Sequence, residues 1–542
     1  CRCGRPAAAR AADHDHGPVT APNSVGRSAV GMGAAAAASR VLGGARVLVV
    51  AAVLGTTWLG DTFEAANTFP TVVFELLAAG ALSAVLVPTF VDLFARDQRP
   101  EAERQAGGLL GLALVVLGSL AVLGMIAAPW LAEALTRASD APAQQQELAT
   151  SLLRWFLPQL LLYPIGFCAI ALLNAKRVFA LPAAAPIGNT VVLVSALLIF
   201  YAVAGPDPGL DLTTGETALL GLGGTLGVAA FVAIPTVALW RTGFRLRPRW
   251  APRDPGVRRL LGLSSWAVLQ HSGAALLLGA AIVLGAGVEG GVVSYRVAFY
   301  LFLAPYGILA QPLHTTVQPE LADDVDRGDL DGFGRAMRWA LASLGVVVLP
   351  VAGLMVALAR PAMEVVAFGQ ADSGDGVALM AAGVAGLALG LPAYGAFRLL
   401  AAAWYALDDS RTPAIAAIGS AVIGVALMIA LAPFTDGPSR IFALGLGHTV
   451  GFLLGTLWLA LRLRRRQPVA LWPRTLPAIT ALAAVLAGGA WVVVDAWSPD
   501  GRVATAVALS LVGIVGGGLY YGGLRGLHLL PGPLVRNSAV AS

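Results

Sequence analysis

Two arginines lie six residues apart within an otherwise apolar stretch near the start of the chain. The stretch reads AVGMGAAAAASRVLGGARVLVVAAVLG, and its arginines are Arg40 and Arg46. A guanidinium is always charged and presents N–H donors in a planar fork that fits phosphate and carboxylate oxygens. Gly43 and Gly44 lie between the arginines and would let the helix bend or let another backbone approach. The two charges therefore call for a cavity or a partner.

Arg46 must lie inside the membrane if this stretch spans it. Val47 to Gly60 is only 14 residues, whereas a helical span needs about 20. A charge at mid-bilayer costs about 2.5–3.5 kcal/mol on insertion scales, and such residues usually face a cavity or a partner. Arg40 can extend toward the cytoplasmic face. We interpret Arg46, Glu75 and Arg296 as cavity residues.

Other polar residues at apolar depth are Asp61, Glu64, Asn67, Gln159, Gln270, His271, Gln311, His314 and Arg398. For Glu64, Gln159 and Arg398 we expect structural roles, with acids neutralising bases in fixed pairs. For His271, His314 and His448 we expect packing or hydrogen bonding rather than proton transfer. The order of these residues along the chain leaves their partners open.

The composition excludes a soluble domain. The 542 residues are 57% hydrophobic and 12% charged, against about 25% charged in soluble domains. This predicts an all-α, polytopic membrane protein. Membrane topology explains the net charge of +5 better than nucleic-acid binding does. Three cysteines form no disulfide or zinc pattern, and ATP-binding, metalloprotease and nucleophile-elbow motifs are missing. We expect no enzyme activity, no metal and no cofactor.

Fourteen apolar segments predict fourteen transmembrane helices. Their approximate spans are 29–55, 63–95, 106–135, 148–173, 183–204, 216–240, 258–287, 290–320, 335–359, 376–407, 412–433, 440–462, 475–497 and 503–528. Connectors after even-numbered segments carry 21 lysines and arginines, and those after odd-numbered segments carry 4. The positive-inside rule places the first set and both termini in the cytoplasm.

An internal repeat divides the chain. Pro88 and Pro319, Asp92 and Asp323, Pro182 and Pro413, and Ile187-Gly188 and Ile418-Gly419 all share an offset of 231 residues. An even number of helices separates equivalent points, so the repeat is parallel, and transporters place the substrate site between such halves. The expected parts are a disordered tail (1–28), two six-helix bundles (29–250 and 257–466), a helix pair (470–530) and a tail (531–542).

Five fragments, in this order, resemble the MurJ (MviN) family of lipid II flippases. They are SRVLGGAR, GDTFEAANTFPTVVFELLAAGALSAVLVPTF, NAKRVFALPAAAPIGN, YLFLAPYGILAQPLHTTVQPEL and WYALDDSRTP. That family shares a superfamily with the MATE exporters and polysaccharide flippases. The resemblance covers about 29–465 and extends to about 528 with the last two helices.

The resemblance implies two six-helix bundles plus a final pair, in the bacterial cytoplasmic membrane. It implies a cationic central cavity that meets the pyrophosphate and sugar of an undecaprenyl-pyrophosphate-linked peptidoglycan precursor, and a groove near the last two helices for the lipid tail. The family's helix-1 arginines match Arg40 and Arg46, its neighbouring serine matches Ser39, and its acid opening helix 2 matches Asp61. Membrane lipids and other cell-wall synthesis proteins are the further partners we expect.

The sequence departs from the family at several positions. Phe74 or Glu75 stands in place of an arginine, Ala79 in place of an acid, Tyr300 in place of an arginine and Val47 in place of an acid. Arg296 precedes Tyr300 by four residues, as Glu75 precedes Ala79, so each charge is displaced by one helical turn on nearly the same face. The seventh segment has no internal acid, which argues against a sodium site that some members are proposed to have.

The sequence therefore predicts a flippase for a lipid-linked cell-wall precursor, working by alternating access. The candidate substrate-binding residues are Ser39, Arg40, Arg46, Asp61, Glu75 and Arg296. A flippase for another lipid-linked oligosaccharide or a MATE-like exporter is a close alternative. An integral membrane transferase acting on lipid-linked sugars is an alternative from another class. Asp408-Asp409 is the only pair of acids suggesting it, and a solvated turn explains that pair better.

Overall fold

The computed structural model describes residues 22–79, 86–137, 143–372, 374–467 and 469–532, and these contain no β-strand. They form twenty α-helices together with short π and 3₁₀ turns. The helices are α1 (Pro22–Leu54), α2 (Trp58–Phe74), α3 (Leu86–Ala95), α4 (Arg99–Ile126), α5 (Ala128–Thr136), α6 (Ala143–Phe156), α7 (Gln159–Ala175), α8 (Ala180–Ala204), α9 (Thr214–Arg241), α10 (Pro255–Gly285), α11 (Gly291–Pro305), α12 (Gln311–Asp326), α13 (Leu330–Ala357), α14 (Ala359–Val366), α15 (Gly376–Ala388), α16 (Leu391–Ala406), α17 (Arg411–Leu431), α18 (Gly437–Arg466), α19 (Leu476–Trp497) and α20 (Arg502–Gly526).

The helices have the length and apolarity of membrane spans. Eleven described helical stretches are long and apolar enough to cross a bilayer, and the pair α15 and α16, bent by 41°, would make twelve. Large apolar side chains such as Phe434 (85% exposed) and Ile514 (73% exposed) cover the outside, where lipid would contact them. The prediction of a polytopic all-α membrane protein is confirmed. The first two predicted segments, in α1 and in the interrupted α2 and α3, fall outside this set, so the count of fourteen stays a prediction.

The predicted N-terminal tail differs from the structure at its end. Helix α1 begins at Pro22, so residues 22–28, which we expected in a disordered tail, are helical. The rest of that tail (1–21) and most of the C-terminal tail (533–542) lie outside the described residues.

Two equivalent helices are interrupted by a π-helical turn at equivalent places. Helix α2 continues into a π turn at Glu75–Ala79, and α11 continues into a π turn at Tyr306–Ala310. The two turns are 231 residues apart, which is the offset of the sequence repeat. π turns are rare in proteins and are frequently found at functional sites. Glu75 lies in the first of these two turns.

The buried apolar residues form two large cores. One gathers residues between 50 and 260, and the other gathers residues mostly between 275 and 471. Helix α1 contributes to both, with Val50 and Val53 in the first core and Val47 and Ala51 in the second. Helices α19 and α20 form a small cluster of their own that packs on α13. The N-terminal helix therefore lies along the seam between the two halves.

Reporter fusions test the orientation that the charge asymmetry predicts. The loop containing Gly209 connects α8 to α9, and Arg253 lies between α9 and α10. We expect an alkaline phosphatase fusion after Gly209 to be active, because that enzyme folds outside the cytoplasm, and a fusion at Arg253 to be inactive. A green fluorescent protein fusion at each position is the control and should give the reverse result. The opposite signals at both positions would contradict a cytoplasmic location for the arginine-rich connectors.

Candidate functional site

A polar cavity of about 600 Å³ lies among α1, α2, α7, α8, α9, α10 and α11. Five of the six predicted site residues line it, namely Ser39, Arg40, Arg46, Glu75 and Arg296. They come from three helices that belong to different halves of the sequence repeat. The cavity is thus located between the halves, where parallel repeats place a transport site.

Helix α1 is held against α11 and α12 by contacts around Arg40. Its guanidinium donates from Nη2 to Oε1 of Gln311 at 2.6 Å, and the Tyr300 hydroxyl donates to the Arg40 carbonyl. The Tyr300 ring lies directly over Gly43 and Gly44, where a methyl group on either glycine would press against it. The glycine pair therefore serves for a close approach, one of the two uses that the sequence predicts.

Arg46 lines the cavity without a hydrogen bond or ion pair to any residue in the described part of the chain. Its electrostatic neighbours are Glu64, a second cation at Arg296, and the hydroxyls of Tyr163 and Tyr300. An arginine in an apolar span is costly unless something neutralises it. Its fork of donors is free to bind an anionic ligand.

Arg296 pairs with Glu64. Its Nε lies 3.3 Å from Oε2 of Glu64, and the two side chains are 19% and 6% exposed. The expectation of a structural acid–base pair at Glu64 is confirmed, and the structure identifies Arg296 as the base, which the sequence had left open. Glu75 instead lines the cavity and has no ion pair within the described residues. Arg296 keeps its place on the cavity wall beside Tyr300.

Asp61 is not one of the cavity-lining residues. It is 1% exposed, and its Oδ1 accepts a hydrogen bond from the backbone N–H of Val293 at 2.9 Å. That N–H belongs to the first turn of α11, where unpaired N–H groups and the helix dipole favour an anion. Oδ2 has no hydrogen-bond partner among the described residues. The geometry gives Asp61 a docking contact between α2 and α11.

The substitution Asp61→Ala is expected to destabilise the protein. It leaves the Val293 N–H buried without an acceptor, which costs about 1–3 kcal/mol in free energy of unfolding. Thermal unfolding of the purified protein in detergent measures this loss. The matched control is Asp495→Ala, at an exposed acid of α19, which should unfold like the native protein. Native stability of Asp61→Ala together with lost substrate binding would instead return Asp61 to the binding site.

A polar stripe on α2 completes the cavity wall. Asn67, Thr68, Thr71 and Glu75 all line it. Asn67, Thr71 and Glu75 follow one another at intervals of four residues, which places them on one helix face, with Thr68 next to Asn67. That spacing is visible in the sequence, although only Asn67 and Glu75 were singled out from it. Opposite Thr71 lies Tyr163, whose hydroxyl is 2.9 Å from the Thr71 hydroxyl. A lone tyrosine in the apolar run of α7 gave little sequence signal.

The remaining polar candidates lie mostly in structural contacts. Gln159 is buried and bonds the Tyr163 hydroxyl at 3.1 Å, and His314 and His448 bond tyrosine hydroxyls at 2.9 and 2.7 Å. His271 lines the cavity and contacts the Ala267 carbonyl at 3.0 Å. These contacts agree with the expected structural roles. Arg398 differs, because the described residues offer it no acidic partner within ion-pair distance.

The cavity lining combines positive charge with uncharged polar side chains. The described lining holds Arg40, Arg46, Arg296 and Glu75, while the nearby Glu64 forms its ion pair with Arg296 rather than with Arg46. Within the described ranges no group of histidine, cysteine and acidic side chains has metal-site geometry. The tyrosine, threonine and asparagine side chains add donors and acceptors that suit a sugar or a phosphate.

Comparison with known proteins identifies the family. The sequence model of the family described as lipid II flippase MurJ matches residues 50–512. A probable lipid II flippase MurJ from Rhizobium tropici is 27% identical over 406 residues, covering 74% of each chain. The lipid II flippase MurJ of Burkholderia cenocepacia is 27% identical over 463 residues, covering 83% of this chain and 86% of its own.

Two solved structures share the fold. A lipid II flippase MurJ in an inward closed conformation aligns with a TM-score of 0.71 at 16% identity, over 91% of this chain and 99% of its own. An inward-facing multidrug resistance MATE transporter aligns with a TM-score of 0.64 at 14% identity, over 80% of this chain and 96% of its own. Since the family model matches well over half of the sequence, this chain belongs to the family described as lipid II flippase MurJ.

Proposed function

We propose that this protein moves lipid II, the lipid-linked peptidoglycan precursor, from the inner to the outer leaflet of the bacterial cytoplasmic membrane. The family membership, the helical membrane fold and the cationic cavity between the two halves support this assignment. The observation that carries it is Arg46, an arginine within a predicted membrane span that faces the cavity without a partner in the described structure. A diphosphate would supply the missing negative charge.

In this proposal the arginines bind the diphosphate and the polar wall binds the sugar. Arg46 would contact the phosphate oxygens with the N–H groups of its guanidinium. Arg40 would leave Gln311, and Arg296 would leave Glu64, to contact the same phosphates. Arg–phosphate contacts are charge-assisted and frequently bidentate, which gives them strength and orientation. Glu75 would balance the cations when the cavity is empty, and Ser39 would add a hydroxyl at the mouth of the site.

A cluster of contacts beyond Arg46 would close the outer side of the cavity. At the end of α1, Gly369 (φ 61°) packs on the Ala52 carbonyl, and Gln370 donates to the Pro206 carbonyl. The contact of Asp61 with α11 lies at the same end. These contacts join the two halves of the repeat. We propose that they break and re-form as each half moves as one bundle, which would open the cavity alternately to the two sides of the membrane.

An apolar groove is available for the lipid tail. It lies between α19 and α20, has a volume of about 440 Å³, and is lined by residues such as Leu486, Val493 and Leu519. A polyprenyl chain is apolar along its whole length and would bury it in such a groove. We therefore assign the C-terminal helix pair to the tail and the central cavity to the headgroup.

Two alternatives remain distinguishable. Phe74, Ala79 and Tyr300 replace charged residues of the family, so another lipid-linked oligosaccharide is kept as an alternative substrate. A MATE-like exporter is kept as well, because a MATE transporter shares the fold. Of the two acids that suggest the transferase alternative, Asp409 has a structural role. Its carboxylate accepts from the backbone N–H and hydroxyl of Thr412 at 2.9 and 2.8 Å and pairs with Arg466 at 3.1 Å. It stabilises a turn, so we propose transport without catalysis.

Complementation tests the proposed function. The gene is expressed in a bacterium whose own lipid II flippase can be depleted, and growth and cell lysis are followed. We expect this protein to sustain growth and prevent lysis. Failure to do so at a membrane level equal to that of the native flippase would argue for another substrate.

A further inference from the structure

The connection between the two halves carries an unusual density of positive charge. It runs from the end of α9 to the first turns of α10, residues 241–259, and we call it the arginine strap. Its arginines are Arg241, Arg245, Arg247, Arg249, Arg253, Arg258 and Arg259. All seven are exposed. The positive-inside rule explains their side of the membrane but not their arrangement.

The strap is fixed by its backbone. The N–H of Arg249 donates to the Gly107 carbonyl of α4 at 2.8 Å. A methyl group on Gly107 would collide with the Arg247 carbonyl, and one on Gly111 would collide with the Arg249 backbone. Phe244 anchors the start of the strap and is only 1% exposed. The backbone thus lies in a shallow groove of α4 while the arginine side chains remain outside.

The acids next to the strap are already paired. Glu101 and Asp254 bind Arg104 at 2.8 and 3.3 Å, and Glu103 binds Arg99 at 3.2 Å. Across the described ranges, none of the seven strap arginines forms an ion pair with an acidic side chain. The strap therefore presents unneutralised cations held in a fixed position.

The strap lies at the height where α4 changes from charged to apolar. The last charged residue of α4 is Arg104, which pairs with Asp254 of the strap, and the backbone contacts of Arg247 and Arg249 follow at Gly107 and Gly111. Trp240, directly before the strap, and Trp250, within it, are 68% and 64% exposed. Tryptophan concentrates at the boundary between lipid and water. Exposed arginines and tryptophans at this height fit a bilayer surface better than free solution.

We propose that the arginine strap is a docking surface for the anionic phospholipid headgroups of the cytoplasmic leaflet. Juxtamembrane clusters of this size attract acidic lipids, and each basic residue contributes about fivefold to binding. The strap joins the two halves, so bound headgroups would hold the connection against the membrane while the halves move. This site is separate from the transport cavity and does not depend on the substrate that the cavity binds.

Lipid titration of the full chain in detergent tests the proposal. Thermal unfolding is followed while phosphatidylglycerol or the zwitterionic phosphatidylcholine is added. We expect phosphatidylglycerol to raise the unfolding temperature at lower concentrations than phosphatidylcholine does. In Arg247→Gln/Arg249→Gln the half-saturating phosphatidylglycerol concentration should rise by about fivefold for each arginine removed, with the phosphatidylcholine response unchanged.

Two matched variants make the result decisive. Arg360→Gln/Arg502→Gln removes the same charge from exposed arginines outside any cluster, which pair with Glu364 and Asp372, and should leave phosphatidylglycerol binding nearly native. Arg247→Lys/Arg249→Lys keeps the charge and should keep the binding, even if the glutamine variant proves unstable. Equal losses in Arg360→Gln/Arg502→Gln, native binding in Arg247→Gln/Arg249→Gln, or lost binding in the lysine variant would each overturn the proposal.

Discussion

Arg46→Ala is expected to abolish transport while leaving the protein folded in the membrane. Arg46 faces the cavity with no hydrogen bond or ion pair among the described residues, so its removal breaks neither of these there and eases insertion of α1. Two charge-assisted hydrogen bonds to a phosphate are worth about 1.5–3 kcal/mol each. Their loss corresponds to at least about a 100-fold decrease in substrate binding. Growth after depletion of the native flippase reports the effect.

Two further variants serve as controls for Arg46→Ala. Arg46→Lys retains the charge but not the planar fork, and it should keep only part of the activity. Arg360→Ala removes an arginine that is 75% exposed and forms a surface pair with Glu364, and such pairs contribute little. It should grow like the native protein. Normal growth of Arg46→Ala at native protein levels would show that the cavity does not need this charge.

Arg296→Ala is expected to cost both stability and transport. Glu64, only 6% exposed, would lose its ion-pair partner, and breaking a buried pair on one side costs about 3–5 kcal/mol. The double variant Arg296→Ala/Glu64→Gln removes the stranded charge and should restore the folded level in membranes. Because we propose that Arg296 also binds phosphate, transport should remain defective in this double variant. Western blots of membranes and growth after depletion measure the two effects separately.

A third variant tests whether the cavity charge has shifted by a helical turn. Tyr300 and Arg296 both line the cavity on α11, so an arginine at position 300 would reach the same space. Arg296→Ala/Glu64→Gln/Tyr300→Arg should therefore regain part of the transport activity. If Arg296→Ala/Glu64→Gln is already fully active, Arg296 serves only the structural pair.

The sequence predicts which charged residues lie close together at the cavity, but not which acid forms an ion pair with which arginine. The span-length argument requires Arg46 to be inside the membrane, and the structure places it on the cavity wall with Arg40 and Arg296. Glu64 and Glu75 are 11 residues apart, about three turns of an α-helix, so the sequence alone would place both on the same helix face. Only the packing of α11 against α2 decides which acid Arg296 meets. The sequence pattern contains no measure of that register.

The roles of Asp61 and Tyr300 were also inaccessible to sequence reasoning. An acid at the start of α2 looks like one that faces a cavity, and its burial against the first turn of α11 depends on a contact between residues 232 positions apart. Likewise the Tyr300 hydroxyl bonds the Arg40 carbonyl across 260 positions. Both contacts follow from the docking of the two halves, whereas the 231-residue repeat is visible in the sequence itself. The two π turns lie at the same offset, but they were found only in the structure.

The most direct test of this account measures the leaflet in which lipid II resides. Cells that depend on this protein, or on its Arg46→Ala variant, are treated with an enzyme that cleaves only lipid II exposed on the outer leaflet, and the released headgroup is quantified against total lipid II. We expect most of the lipid II to be cleaved in cells with the native protein and lipid II to accumulate uncleaved in cells with Arg46→Ala. Equal cleavage in native and Arg46→Ala cells, or no cleavage with the native protein present, would contradict lipid II transport through the cationic cavity.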